Sequence, residues 1–160
     1  YDDSNKKLNI TLKNKILRKF ITPTLEPSTE EVPTPKVPFN ARVKLTAASL
    51  RDIIDDAQAI SDNVKLEVLP EKFVVRAMGE LSSALIEMDK GSDAILDIDV
   101  KEPARATYNL NYLGEIIRAG SGASEITSLE FSTNMPIKGE FEMPQQGKLL
   151  YYLAPRIEAD

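Results

Sequence analysis

Residues 39–89 read FNARVKLTAASLRDIIDDAQAISDNVKLEVLPEKFVVRAMGELSSALIEMD. FNARVKL (39–45) alternates apolar and polar side chains, the period of a half-buried strand. In TAASLRDIIDDAQAIS the apolar positions Leu50, Ile53, Ile54, Ala57 and Ile60 recur at spacings of three and four, one stripe of a helix. Thr46 or Ser49 supplies an N-cap oxygen. NVKLEVL (63–69), KFVVRAMG (72–79) and SALIEM (83–88) are three strands, joined by turns at Pro70–Glu71 and Glu80–Ser82. The order is strand, helix, three strands.

The order then recurs without visible sequence identity. AILDIDVK (94–101) and ARATYNL (104–110) read as strands, the second passing into the helix NLNYLGEIIRAG with Leu110, Leu113 and Ile117 on one face. Gly120 is placed to end that helix as a left-handed cap. EITSLEFS (125–132), MPIKGEFE (135–142) and KLLYYLAP (148–155) complete the repeat. Two βαβββ units predict an α+β fold, an antiparallel sheet with two helices packed on one face.

Upstream the pattern changes. Residues 21–40 hold five of the ten prolines, a stiff extended connector. Before it, LNITLK (8–13) and ILRKFIT (16–22) form a candidate hairpin, too small to be stable alone. The chain therefore reads as starting inside a domain. Charge is uneven as well. Residues 1–20 carry six basic and two acidic side chains, a net +4, so the other 140 residues hold −9 of the overall −5. Bulk charge does not favour nonspecific DNA binding, although a local basic surface is compatible with it.

The 160 residues include no Cys, no His and no Trp, while 42 % are hydrophobic and 28 % charged. That composition fits a folded soluble protein and excludes disulfides, Cys/His zinc sites and Ser-His-Asp or Cys-His catalysis. No apolar run approaches the ~20 residues of a membrane helix. The reading is an intracellular, soluble, non-enzymatic protein without catalytic residues, cofactor or metal. Asp52, Asp55 and Asp56 lie on the first helix, where Asp52 and Asp56 are spaced to share a divalent cation; a solvated helix face explains them more simply. The glycines of GSGAS (120–124) lack the Lys-Ser/Thr of a phosphate loop. Arg118 suits either a phosphate contact or the helix C-terminal dipole. Tyr151 and Tyr152 point to opposite faces of their strand, so one is in the core and the other, beside Ala154 and Pro155, rims a shallow apolar dish.

YYLAPRIE (151–158) resembles the C-terminal signature of the sliding clamp family, the proliferating cell nuclear antigen of archaea and eukaryotes. VPTPKVPFNARVKL (32–45), MGELSSALIEM (78–88), YNLNYLGEII (108–117) and NMPIKGEFEM (134–143) match in order and spacing, with the archaeal branch nearest. The resemblance implies residues 39–160 as the C-terminal clamp domain, 21–38 as the interdomain connecting loop and 1–20 as the last strands of an incomplete N-terminal domain. It implies a trimeric ring around duplex DNA, closed through edge strands, here Ser83, Ala84, Leu85, Ile86, Glu87 and Met88. With most of the first domain missing, a truncated chain or proteolytic fragment is expected, unable to close the normal ring.

The resemblance also implies an apolar pocket for a short client motif in which Gln precedes an aliphatic and two aromatic residues. Val32, Pro35, Pro136, Tyr152, Ala154 and Pro155 match its walls. Arg118 and Arg51 match DNA-facing positions, though Asp52, Asp55 and Asp56 stand where many clamps carry basic residues. Implied partners are DNA polymerase, flap endonuclease, DNA ligase, a clamp loader and other clamp subunits; implied localisation is cytoplasmic and nucleoid-associated if archaeal, nuclear if eukaryotic. Two alternatives compete: a stand-alone peptide-binding module competing for client motifs, and a small metal hydrolase using Asp52 and Asp56.

Overall fold

The computed structural model describes residues 1–25 and 36–157. The chain divides into two compact units, 1–34 and 35–160. The first holds the hairpin of β1 (Lys7–Lys13) and β2 (Leu17–Pro23), antiparallel with Ile10 opposite Phe20. Its turn is fixed locally by the Ile16 N–H, which donates to Asn14 Oδ1 at 3.0 Å.

The second unit contains β3 (Ala41–Thr46), α1 (Ala47–Gln58), β4 (Asn63–Leu69), β5 (Lys72–Met78), β6 (Ser83–Asp89), β7 (Ile95–Val100), β8 (Ala104–Asn109), α2 (Leu110–Ser121), β9 (Ile126–Phe131), β10 (Ile137–Met143) and β11 (Gly147–Leu153). All strand pairings are antiparallel, and the mixed α+β character predicted from the two periodicities holds. The strands divide into two sheets, ordered β11–β10–β9–β3–β7 and β6–β5–β4–β8. Each repeat donates its first strand to the other repeat: β3 pairs with β9, and β8 pairs with β4. This exchange ties the halves into one core, since neither three-stranded meander keeps its own leading strand.

Both helices start where a side-chain oxygen satisfies an orphan amide. Thr46 Oγ1 accepts the Ser49 N–H at 3.3 Å, and Asn109 Oδ1 accepts those of Asn111 and Tyr112 at 3.0 and 3.3 Å. Their buried residues, Leu50, Ile54 and Ala57 on α1 and Leu110, Leu113 and Ile117 on α2, join Val43, Leu66, Val75, Tyr108, Phe131 and Phe141 in one core. Gly120 corrects the expected left-handed cap. It lies inside α2, whose C-cap is Gly122 at an ordinary φ of −70°. Gly120 is there for space: a Cβ would come within 2.4 Å of the Phe141 ring.

Candidate partner-binding pocket and helix face

Alternation along β11 sends Leu149, Tyr151 and Leu153 to the core and Leu150 and Tyr152 to the outer face. Tyr151 meets Phe141 edge-to-face at 6.5 Å, so it is the core tyrosine of the adjacent pair. Tyr152 is half-buried on the other side, opposite Lys138 in the register of the β10–β11 hairpin. That ladder ends at Ile137 opposite Leu153, which sets Pro136 and Ala154 just beyond the last pair. Tyr152, Ala154 and Pro136 thus converge at one end of the five-stranded sheet. Pro155 follows, half-buried, where the chain leaves the sheet. Val32 and Pro35, the loop positions assigned to the same pocket, lie outside the described residues.

Several anchors at this end were not read from the sequence. The Ser132 hydroxyl donates to the Pro38 carbonyl at 2.7 Å and accepts the Asn40 N–H at 3.0 Å, tying the end of the connector to the β9–β10 turn. Tyr108, fully buried and edge-on to Phe131 at 6.1 Å, donates its hydroxyl to the Met135 carbonyl at 2.8 Å. Burial pushes its phenol well above the usual tyrosine range. The tail is held in turn by the Arg156 N–H, which donates to the Thr107 carbonyl at 2.7 Å. A lone Tyr or Ser carries no sequence signal for such roles; the pairing of β3 with β9 sets Ser132 beside Asn40, and Tyr108 reaches Met135 from the other sheet.

Beyond Tyr152 the outer face of the sheet is a row of ion pairs along and between its strands. Lys148 reaches Glu140 at 2.7 Å, Lys138 reaches Glu130 at 2.8 Å and Glu140 at 3.4 Å, and Arg42 reaches Asp97 at 2.9 Å. The Lys148 hydrogen bond, with the charges of Lys138 and Lys148, holds the Glu140 carboxyl below its ordinary value despite partial burial. Burial opposes the Lys138 ammonium, but Glu130 and Glu140 together outweigh it and raise its pKa. The apolar end of the hairpin is therefore bordered by a neutralised, ordered polar surface.

A separate concavity of about 500 Å³ lies at the opposite end of β10, between the α2–β9 loop and Met143. It includes Glu125 and Glu142 but no basic side chain, and it does not approach Tyr152. β6 forms the edge of the four-stranded sheet. Ala84, Ile86 and Met88 face its core, whereas Leu85 is 55 % exposed and Glu87 accepts a 2.7 Å hydrogen bond from Lys72.

On the helices, Arg51 and Arg118 are both half-exposed and both engaged. Arg118 donates to Glu115 at 2.7 Å and to Asp55 and Gln58 at 3.0 Å each, linking α2 to α1. Arg51 contacts Asp52 at 3.3 Å. Gln58 in turn donates to the Leu110 carbonyl at 2.9 Å across Gly114, where a Cβ would collide with the Gln58 amide. The exposed helix face thus carries Asp52, Asp55, Asp56 and Glu115 against two arginines. Among the described residues no three His, Cys, Asp or Glu side chains are grouped to hold a metal ion. Among them also, no helix is long and apolar enough to cross a membrane.

The family model described as proliferating cell nuclear antigen, C-terminal domain, matches residues 33–156. The chain belongs to the proliferating cell nuclear antigen family. Its relatives in that family include DNA polymerase sliding clamp 1 of Pyrobaculum aerophilum, 37 % identical over 95 % of this chain and 61 % of that protein. The DNA polymerase sliding clamp of Nanoarchaeum equitans is 34 % identical over 97 % of this chain and 62 % of its own length. The chain thus spans about three-fifths of the curated relatives it matches. The fold is that of the proliferating cell nuclear antigen of Thermococcus kodakaraensis (TM-score 0.82, 23 % identity, 98 % of this chain and 63 % of that one). The PCNA2–PCNA3 complex of Sulfolobus tokodaii matches equally well (TM-score 0.83, 24 % identity, 98 % and 63 %).

Proposed function

We propose that this chain is part of a DNA sliding clamp, a non-enzymatic processivity factor that encircles duplex DNA and tethers replication and repair enzymes through the apolar end of the β10–β11 hairpin. The observation that carries the reading is the convergence of Tyr152, Ala154 and Pro136 at that end, in a chain of the proliferating cell nuclear antigen family. A client segment with a Gln, an aliphatic and two aromatic side chains would seat its rings on this surface as a short helix in a groove. Burial of about 500 Å² of apolar surface at ~25 cal/mol per Å² is a gross gain of roughly 12 kcal/mol. Ordering and association costs leave micromolar affinity.

In this reading residues 39–160 are the C-terminal clamp domain, 21–38 the connecting loop, with Val32 and Pro35 as further pocket walls, and 1–20 the last strands of the preceding domain. The β6 edge, Ser83–Met88, would pair with a neighbouring subunit; the complex named for the Sulfolobus tokodaii relative supports assembly from more than one clamp chain. Clients would be polymerase, flap endonuclease and ligase, with a clamp loader to open the ring. The archaeal relatives favour a cytoplasmic, nucleoid-associated location. Arg51 and Arg118 would face the duplex, and retention would come from closure of the ring. Their carboxylate partners limit each to loose phosphate contact, which suits sliding.

The test is a fluorescence-anisotropy titration of a labelled client-motif peptide against the chain and its Tyr152→Ala variant. Saturable micromolar binding that the substitution abolishes supports the reading; equal binding by both removes Tyr152 from it.

A further inference from the structure

The walls of the pocket stand where their own hairpin cannot hold them. The β10–β11 ladder stops at Ile137 and Leu153. Beyond it Pro136 and Pro155 have no N–H to donate, so neither side of the hairpin end can extend the ladder through them. A hairpin end in that condition frays unless something outside it supplies hydrogen bonds. The outer edge of β8, in the other sheet, supplies them to both walls.

On the Pro136 side, the Asn134 N–H donates to the Arg105 carbonyl at 3.0 Å, and the Tyr108 hydroxyl donates to Met135, the residue immediately before the proline, at 2.8 Å. On the Pro155 side, the residue immediately after the proline is Arg156, whose N–H donates to the Thr107 carbonyl at 2.7 Å in a single antiparallel bridge. The Arg156 guanidinium then donates to Asn63 Oδ1 at 3.1 Å. Asn63 opens β4 and pairs in register with Asn109 at the end of β8. Thr107 and Tyr108 are joined by one peptide unit, so neighbouring residues hold the two walls, one through its carbonyl and the other through its hydroxyl. That unit belongs to a strand whose Ala104, Ala106 and Tyr108 are buried in the core.

We infer that Tyr108, Arg156 and Asn63 are positioning residues for the partner-binding pocket: Tyr108 of β8 clips the β9–β10 turn, while Asn63 of β4 and the Thr107 carbonyl of β8 clip the C-terminal tail through Arg156. The inference rests on the pocket reading and adds the device that preorganises it. Clients then find a surface already formed, and affinity depends on residues that no client touches.

The experiment uses the whole chain, four single variants and one double variant. Tyr108→Phe removes one hydroxyl and keeps the ring; Asn63→Ala removes the guanidinium's acceptor without altering the tail; Arg156→Ala removes the donor; Asn63→Asp restores an acceptor. Each is titrated with the labelled peptide carrying a Gln, an aliphatic and two aromatic residues, and hydrogen exchange is followed at the Arg156 amide. Loss of one such hydrogen bond predicts weakening of about fivefold for each of the first three. The Asn63→Ala and Arg156→Ala effects should not add in the double variant, because they break the same contact. Exchange at Arg156 should quicken in Asn63→Ala and return to the parental rate in Asn63→Asp.

Additive effects of Asn63→Ala and Arg156→Ala, or an Arg156 amide unmoved by Asn63→Ala, overturn the clip. If exchange responds as described while the unmodified chain binds no peptide, the clip stands, and the pocket reading and the positioning role built on it fall.

Discussion

Replacing Gly120 by Ala sets two effects of similar size against each other. An alanine inside α2 gains about 1 kcal/mol of helix propensity. Its Cβ, however, would lie 2.4, 2.4 and 2.5 Å from three atoms of the Phe141 ring. Carbon contacts settle near 3.5–4.0 Å, so helix or ring must move by about 1 Å. The ring has nowhere to go: Phe141 is fully buried and braced edge-on against Tyr151. Overpacking of this kind costs about 1–3 kcal/mol, and the rigid neighbour places it toward the upper end. The net expectation is a loss of about 1–2 kcal/mol, a fall in Tm of roughly 3–6 °C. Urea and thermal unfolding of Gly120→Ala with an unchanged m-value would measure it. Phe141→Leu in the same background should recover part of the loss by making room. A Gly120→Ala variant that melts at or above the parent would refute the assignment of this glycine to helix–sheet packing.

Gly139→Ala should go the other way. Its Cβ would meet Leu129 and Phe141 at an ordinary 3.9 Å beside a void of about 10 Å³, so a gain of about 0.5–1 kcal/mol is expected in the same unfolding assay. Asn134 holds a φ of +55° at the β9–β10 turn, so Asn134→Val should cost about 1–2 kcal/mol while Asn134→Gly stays near neutral by urea titration. Glu140 has a depressed pKa, so its contribution to stability is present above the ordinary 4.5 and lost as pH falls through its lower folded value. Lys138 has a raised pKa; its contribution is complete below the ordinary 10.5 and lost as pH rises through the higher folded value. Tm against pH should be level from just above 4.5 to near 10. There Tyr108, ionised in the unfolded chain but kept neutral by burial in the fold, begins to lower it ahead of Lys138. Glu140→Gln should act on the acid limb only.

Much of this architecture is local and therefore legible in the sequence. The stripe Leu50–Ile54–Ala57 and the cap Thr46 specify α1 by short-range geometry alone, and β4 occupies the predicted 63–69, while the Asn109 cap of α2 was not read from the sequence. The division into two sheets is not local. Nothing in FNARVKL states that it pairs with β9 instead of its own repeat, because alternation gives a strand its faces but not its neighbours. The residues alone suggest an apolar dish at Tyr152, Ala154 and Pro155; Pro136 is added only by resemblance, and the β10–β11 register sets it beside Ala154. Tyr108, Ser132 and Asn63 escaped because their partners are 27 to 94 residues away in the chain. Gly120 was misjudged for a related reason: glycine signals both a left-handed turn and a close approach, and only the position of Phe141 decides between them.

The most direct test of the account is to map the amides whose chemical shifts move when a client-motif peptide is titrated into the isotopically labelled chain. The account predicts shifts concentrated at Met135, Ile137, Tyr152, Leu153, Ala154 and Arg156, with the β5–β6 hairpin silent. Shifts centred on β6, or none at saturating peptide, would contradict it.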